Sequence, residues 1–121
     1  MTEQFVIAFS TFPDMGTARK IARELLDGAL IACANIIPAV ESIYYWKEEV
    51  ETSAESLAIF KLTAAGYSEF ESRLRELHPY DVPEIVCLNI AGGSADYLRW
   101  IGESCARLSA RAKSRDPVAK S

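Results

Sequence analysis

The chain has 121 residues, half of them apolar and a quarter charged, which is the usual balance of one soluble globular domain. Its net charge of −4 at pH 7 excludes a general binder of nucleic-acid backbones, which would carry a basic stripe. No apolar run is long enough to span a bilayer and no basic, apolar signal opens the chain, so we expect a cytoplasmic protein without a membrane partner.

The first third of the chain predicts a strand, a helix and a long second strand. Residues 4–12 are nearly all apolar, which is typical of a central strand covered on both faces. Asp14 is a good N-cap for an amphipathic helix, and Gly28 stands at its C-cap position. Residues 30–46 would be about 55 Å long if extended, too long for one compact domain. We therefore expect a bend at Pro38 and pairing of the second half with another copy of the chain.

The remainder predicts a strand, a helix, a strand and a last helix. After a charged turn, residues 56–63 form the apolar part of a strand that completes a hairpin. Residues 67–77 have the apolar spacing of a second helix, which Pro79 ends. Residues 84–91 predict another strand, and the spacing over 98–108 predicts a third helix.

This order of elements is typical of the ferredoxin-like βαββαβ sandwich, an α+β fold, here with an extended β-hairpin and a C-terminal helix. We expect a single domain over residues 1–109 and a polar tail over 110–121. The strands are apolar on both faces, whereas the helices cover only one face. The open face and the overlong hairpin therefore predict a homo-oligomer with cyclic symmetry.

Four segments resemble a known family. They are ACANIIP at 32–38, SIYYWK at 42–47, LHPYDVPEI at 77–85 and YLRWI at 97–101. In order and spacing they resemble the divalent-cation tolerance protein CutA, over about residues 5–101. The resemblance implies a ferredoxin-like homotrimer held by strand pairing between subunits, similar in architecture to the PII signalling proteins. It also implies a role in tolerance of copper and other divalent cations, with copper binding and no established catalysis.

Two positions depart from the family pattern. Glu48 follows the Trp-Lys pair where family members often have glycine, so it is modestly strained if the turn needs a positive φ. Asn89 stands where proline is common, and it keeps a backbone N–H that proline would lack. Neither change threatens the fold.

The resemblance makes Cys33 and His78 the candidate metal ligands. Cys33 lies where the family's cysteine is the usual candidate, and His78 is the only histidine. Thiolate suits Cu(I) and imidazole suits Cu(II) or Zn(II), so copper or another divalent cation is the expected cofactor. One Cys and one His do not close a four-ligand site, and further ligands would have to come from other subunits. The alternatives are packing for Cys33 and capping of the second helix for His78. Core packing is the better interpretation for Cys87 and Cys105.

A second set of candidates lies near strand ends in family-like motifs and comprises Tyr44, Trp46, Lys61 and Glu84. A subunit cleft lined by aromatic side chains and a few polar groups is a small-ligand site by default, which would make the chain a PII-like sensor. The same residues would also suit a network that fixes the register of a trimer. The acidic balance argues against stacking of nucleic-acid bases on these aromatic rings.

An enzyme is not predicted, because the chain lacks a Ser–His–Asp order, an HExxH motif and a phosphate-cradling glycine loop. Gly92-Gly93-Ser94 is either an anion site or, more simply, a loop with an N-cap. Three functions remain open: a copper-binding divalent-cation tolerance protein, a PII-like small-molecule sensor, and a non-catalytic scaffold for partner proteins.

Overall fold

The computed structural model describes residues 2–107. The elements in chain order are β1 (Phe5–Phe12), α1 (Met15–Asp27), β2 (Cys33–Trp46), β3 (Glu49–Thr63), α2 (Tyr67–Leu77), β4 (Val86–Asn89) and α3 (Ala95–Cys105). The strands form one antiparallel sheet in the order β2–β3–β1–β4. This confirms the predicted α+β ferredoxin-like fold. The predicted tail over 110–121 lies outside the described residues, and the domain boundary at 109 stays a prediction.

The core lies between the sheet and one layer of two helices. Every second residue of β1 and of the second half of β3 is buried, and these side chains form one cluster with α1 and α2. Phe60 of β3 packs edge-to-face on Phe70 of α2, with ring centroids 5.3 Å apart. Because β1 pairs with β3 on one side and β4 on the other, the predicted central position of the first strand is confirmed.

Both ends of α1 lie where the sequence predicts them. The Asp14 carboxylate accepts a hydrogen bond of 2.7 Å from the backbone N–H of Thr17, so the predicted N-cap is confirmed. Gly28 occupies the C-cap, but its φ of −82° is ordinary. The predicted C-cap is thus confirmed, and the left-handed residue is the next one, Ala29, with φ 58°.

The β2–β3 hairpin extends beyond the helix layer. β1 pairs with β3 only over residues 56–63, so residues 49–55 have a free edge on that side. A register shift between Ile37 and Val40 confirms the irregularity expected at Pro38. At the same level the Ser56 hydroxyl donates a 2.8 Å hydrogen bond to the carbonyl of Pro38. We call residues 38–55 the arm and the rest of the described chain the body.

β4 is shorter than the predicted 84–91. Val86 pairs with Phe9, so residue 84 would stand opposite Thr11 if the strand continued. The carbonyl of Thr11 is instead hydrogen-bonded to the ring of His78, and this side-chain contact takes the place of a strand. Asn89, where the resemblance raised the question of local pairing, pairs with Val6 as the last residue of β4.

α3 begins at a side-chain cap, since the Ser94 hydroxyl accepts a 3.3 Å hydrogen bond from the N–H of Tyr97. This geometry matches the simpler interpretation of the Gly-Gly-Ser segment. Leu108, the last apolar position of the predicted stripe, lies outside the described residues. No helix within residues 2–107 is long and apolar enough to cross a membrane.

Candidate functional site

A cleft of 580 Å³ lies where the arm meets the body. Three of the sequence-predicted residues, Tyr44, Trp46 and Glu84, line it together. The fourth, Lys61, does not. The other lining residues are Thr11, Ser53, Glu55, Tyr80, Asp81 and Val82. The structure therefore groups the aromatic and acidic candidates and separates them from the basic one.

The arm supplies one wall of the cleft. Tyr44 stands opposite Glu51, and Trp46 opposite Glu49, so these four side chains share one face of the hairpin. The hydroxyls of Tyr44 and Ser53 lie 3.5 Å apart on that same face. Side-chain alternation along an extended strand thus aims the polar and aromatic residues toward the cleft.

His78 lies beneath the cleft and is fixed by both ring nitrogens. Nε2 is 2.9 Å from the carbonyl of Thr11 and donates to it, while Nδ1 accepts a 3.2 Å hydrogen bond from the N–H of Tyr80. The ring also stacks on Phe12 at a centroid distance of 4.6 Å. These contacts require the neutral ring with its proton on Nε2, and burial lowers the pKa of His78.

His78 occupies the C-cap position of α2, and its backbone N–H bonds the carbonyl of Leu74. Its side chain, however, reaches across to β1 instead of capping its own helix. A metal ion at this ring would have to displace one of the two hydrogen bonds. The metal-ligand role of His78 stays a prediction.

His78 in turn positions Tyr80 on the body wall of the cleft. The Tyr80 hydroxyl donates a 2.6 Å hydrogen bond to the carboxylate of Glu55. Burial, with the hydrogen bond to Glu55, raises the pKa of Tyr80 above its ordinary value. The phenol therefore stays protonated and holds Glu55 in place.

Lys61 and Cys33 lie together at the other end of the sheet. They are direct cross-strand neighbours, and both bond the side chain of Asn35. The Lys61 ammonium donates to Asn35 Oδ1, and the Cys33 thiol lies 3.6 Å from the same oxygen. Cys33 is half-buried on the face of the sheet that α1 and α2 do not cover.

Cys33 and His78 are not brought together within one chain. Cys33 pairs with Lys61, whereas Thr11, which bonds His78, pairs with Leu57. These two rungs are four positions apart along β3, a distance of about 13 Å. Residues 2–107 contain no group of three or more His, Cys, Asp or Glu side chains that could hold a metal ion.

The other two cysteines pack as predicted. Cys87 and Cys105 are partly buried against the core cluster. Burial raises the pKa of both thiols, which keeps them in the unreactive protonated form at neutral pH.

Sequence reasoning missed three residues that the structure places in these sites. Glu55 and Tyr80 form the hydrogen bond at the centre of the cleft, and Asn35 joins Lys61 to Cys33. The alternation of side chains along β3 could have identified Glu55, because Glu55 lies on the same face of the strand as Leu57 and Lys61.

The sequence and the fold of this chain are both similar to those of known proteins. Residues 6–104 match the family model described as CutA1 divalent ion tolerance protein. A Divalent-cation tolerance protein CutA from Thermus thermophilus is 42% identical over 98 residues, which cover 81% of this chain and 95% of the relative. The structure of CutA1 from Oryza sativa is 34% identical with a TM-score of 0.83, covering 85% of this chain and 94% of the other.

A third similar structure is described as a periplasmic divalent cation tolerance protein, CutA, from Archaeoglobus fulgidus. It is 29% identical with a TM-score of 0.79, covering 86% of this chain and 99% of that one. The family model spans most of the chain, and the matched relatives are covered over nearly their whole length. The chain therefore belongs to the CutA1 divalent ion tolerance family.

Proposed function

We propose that the chain acts in divalent-cation tolerance as a cytoplasmic, non-catalytic homotrimer that takes up copper at Cys33. The observation that carries the proposal is the position of this thiol, which is half-buried on the face of the sheet that α1 and α2 do not cover. Relatives are described as divalent-cation tolerance proteins. A thiol suits Cu(I), but one thiol is not a closed site, so other copies of the chain must supply further ligands.

The open face of the sheet supports self-association. Val86 and Leu88 of β4 are 48% and 59% exposed on this face, beside half-buried Ile7 and Ile59. An apolar sheet face of this kind is unusual on a monomer and marks an association surface.

The arm supports the same conclusion through its free edges. The outer edge of β2 has no partner within the described chain, and β3 lacks one over residues 49–55 on its other side. The arm also exposes Ile43, Tyr45 and Val50 by 65%, 71% and 69%. Unpaired strand edges and apolar side chains together favour pairing with further copies of the chain.

The trimer is tested by light scattering, coupled to size-exclusion chromatography, on the protein at micromolar concentration. We expect about 40 kDa, three times the 13.4 kDa of one chain. Ile43→Asp should lower this mass because it puts a charge on the arm surface, whereas Thr52→Ser on the opposite strand should leave it unchanged. A monomer mass for the unsubstituted protein would refute the proposal.

Copper uptake is tested by titration against a competing chelator under reducing conditions. We expect the wild type to hold Cu(I) in fixed ratio to the chain and Cys33→Ser to lose it. Cys87→Ser is the matched control, since this thiol is also partly buried but packs on the core. His78→Gln then tests whether His78 is a second ligand. Equal loss of copper from wild type and Cys33→Ser would assign Cys33 to packing.

The compartment is tested separately, because one structural relative is described as periplasmic. Fractionation of cells expressing the chain should place it in the cytoplasm. Recovery in another compartment would refute that part of the proposal and leave the trimer and copper tests unaffected.

A second candidate function is small-molecule sensing, in the manner of a PII-like protein. The observation that favours it is the convergence of Tyr44, Trp46 and Glu84 on one cleft of 580 Å³. This volume lies within the usual range of about 300–1,000 Å³ for ligand sites. A ligand that binds the native state raises the melting temperature by mass action, so a thermal-shift screen tests this function. No shift with any ligand class would reject it.

A further inference from the structure

We infer that the cleft between arm and body binds an organic cation, that is, an ammonium or guanidinium group on a small apolar framework. The inference rests on the second candidate function above and names the chemical class of its ligand. It follows from the charge, the aromatic surface and the fixed geometry of the cleft.

The charge of the cleft has one sign. Glu55, Asp81 and Glu84 line it, and none of the described residues that line it is Lys or Arg. Lys61, which the sequence grouped with these residues, is engaged at the other end of the sheet. Without that lysine, the cleft is suited to a cation and unsuited to a phosphate or carboxylate.

The acidic groups of the cleft are not neutralised by other parts of the described chain. The ion pairs within residues 2–107 join Arg73 to Glu24 and Glu76, and Arg99 to Asp96. All of these lie on the helices. A bound cation would therefore supply the charge partner that residues 2–107 do not.

The aromatic wall favours an organic cation over a bare metal ion. Tyr44 and Trp46 are 44% and 57% exposed, so their rings are accessible to a ligand. Aromatic faces attract ammonium and guanidinium groups through the ring quadrupole. The chain itself places the Lys47 ammonium 5.9 Å from the centroid of Trp46, near the outer limit of about 6 Å for a cation–π contact.

The hydrogen-bond network holds part of the site in place before binding. His78 bonds the backbone of Tyr80, and the Tyr80 hydroxyl bonds Glu55 at 2.6 Å. One carboxylate is thus oriented from within the body, while Asp81 and Glu84 are exposed at the mouth. A preorganised acceptor reduces the ordering cost of binding.

The test uses choline as probe and 3,3-dimethyl-1-butanol as its uncharged isostere, with EDTA present to remove metal ions. Trp46 fluorescence is followed in a Trp100→Phe background, because these are the two tryptophans of the chain. We expect choline to change the fluorescence saturably and to raise the melting temperature. We expect its affinity to exceed that of the alcohol by about tenfold, which lies between the values typical of exposed and of desolvated cation–π contacts.

Three variants sharpen the assignment. Glu84→Gln should weaken choline binding about fivefold, because it removes charge from the mouth of the cleft. Lys47→Asn should strengthen it, since it removes a competing cation and asparagine tolerates the positive φ at this position. Glu69→Gln on α2 is the control and should leave binding unchanged. Equal binding of choline and the alcohol, or no effect of Glu84→Gln, would overturn the inference.

An anionic probe, ATP, distinguishes failure of the organic-cation inference from failure of the small-molecule sensing function on which it rests. If ATP binds and choline does not, the cleft is a ligand site and the cationic class is wrong. If neither choline, the alcohol nor ATP changes fluorescence or melting temperature, the inference and the sensor function both fail. The trimer mass and the copper titration are independent of either result.

Discussion

The arm and the body use the same two strands in different ways. In the body, β3 alternates between buried and half-buried residues because a helix layer covers one face, and Phe60 and Leu62 are fully buried there. In the arm the helix layer is missing, and Tyr45 and Val50 on the corresponding face are exposed. The pairing of β2 with β3 is continuous through both regions apart from the shift at Pro38.

This difference shows that strand pairing alone does not bury apolar surface. An isolated two-stranded hairpin is at best marginally stable in water, and its stability normally comes from packing on a third element. The body has that element in α1 and α2. Within residues 2–107, the arm packs against the body only at its base, where the Tyr80 hydroxyl bonds Glu55. The outer part of the arm therefore depends on another copy of the chain for a packing partner.

The largest expected effect comes from paired truncations in the two regions. Phe60→Ala should lower the free energy of unfolding by about 3–5 kcal/mol, because it leaves a cavity in the core. Val50→Ala in the arm should cost less than about 0.5 kcal/mol if the side chain stays exposed. Urea unfolding at one fixed chain concentration measures both.

The arm variant also reports on assembly. If a second copy covers Val50, its truncation should cost distinctly more and should reduce the mass found by light scattering. A cost for Phe60→Ala as small as for an exposed residue would contradict the assignment of the core.

A second prediction concerns pH and the contact through which the body holds the arm. Burial lowers the pKa of His78 below its ordinary value of 6.5. In the unfolded chain the imidazole takes up a proton near that ordinary pKa, so below it the unfolded state binds more protons. The contribution of neutral His78 to the free energy of unfolding is therefore complete above about pH 6.5. It is lost as the pH falls, by at most about 2 kcal/mol at pH 5.

The measurement is the free energy of unfolding of the metal-free protein between pH 5 and pH 7, compared with that of His78→Gln. His78 is the only histidine, so the difference between the two proteins isolates its titration from that of the carboxyl groups. We expect the variant to be less stable at pH 7 and to depend less on pH. Parallel pH curves would show that the folded state accepts the proton without cost.

A third prediction compares two buried serines. The Ser10 hydroxyl lies in the body and has no hydrogen-bond partner among residues 2–107, whereas the Ser56 hydroxyl donates to the carbonyl of Pro38 where the arm begins. Ser10→Ala should stabilise the protein by about 1 kcal/mol, because an unpaired buried hydroxyl is costly. Ser56→Ala should destabilise it by a similar amount. Thermal unfolding measures both, and equal signs would contradict the hydrogen-bond assignment.

The sequence predicted the body more completely than the sites. Apolar periodicity alone placed the elements in their order, and Asp14 marked the start of α1 because capping chemistry is local. β4 came out too long in the prediction because the bond between His78 and Thr11 joins residues distant in sequence. No local pattern reports such a contact.

Only part of the candidate cleft is predictable from the sequence, again because its residues are brought together by contacts that are distant in sequence. Family-like motifs identified Tyr44, Trp46 and Glu84, and the structure brings these three together. They also included Lys61, which pairs with Cys33 far from the cleft. Glu55, six residues before Lys61 and about 20 Å away along β3, was missed because the strand register was unknown.

The smallest expected effect lies at the tip of the arm. Lys47 and Glu48 have φ of 50° and 69°, so the hairpin closes with two consecutive left-handed residues, as in a type I′ turn. The sequence had marked Glu48 as strained if its φ is positive, and this value meets that condition. Glu48→Gly should therefore stabilise the protein by up to about 1 kcal/mol, the steric relief being partly offset by the greater entropy of glycine when unfolded. Glu49→Gly is the matched control and should be destabilising, since Glu49 is the first residue of β3. Differential scanning calorimetry distinguishes the two signs. If both glycine variants destabilise, Glu48 carries no steric strain in the turn, and its positive φ is held at no cost to the folded state.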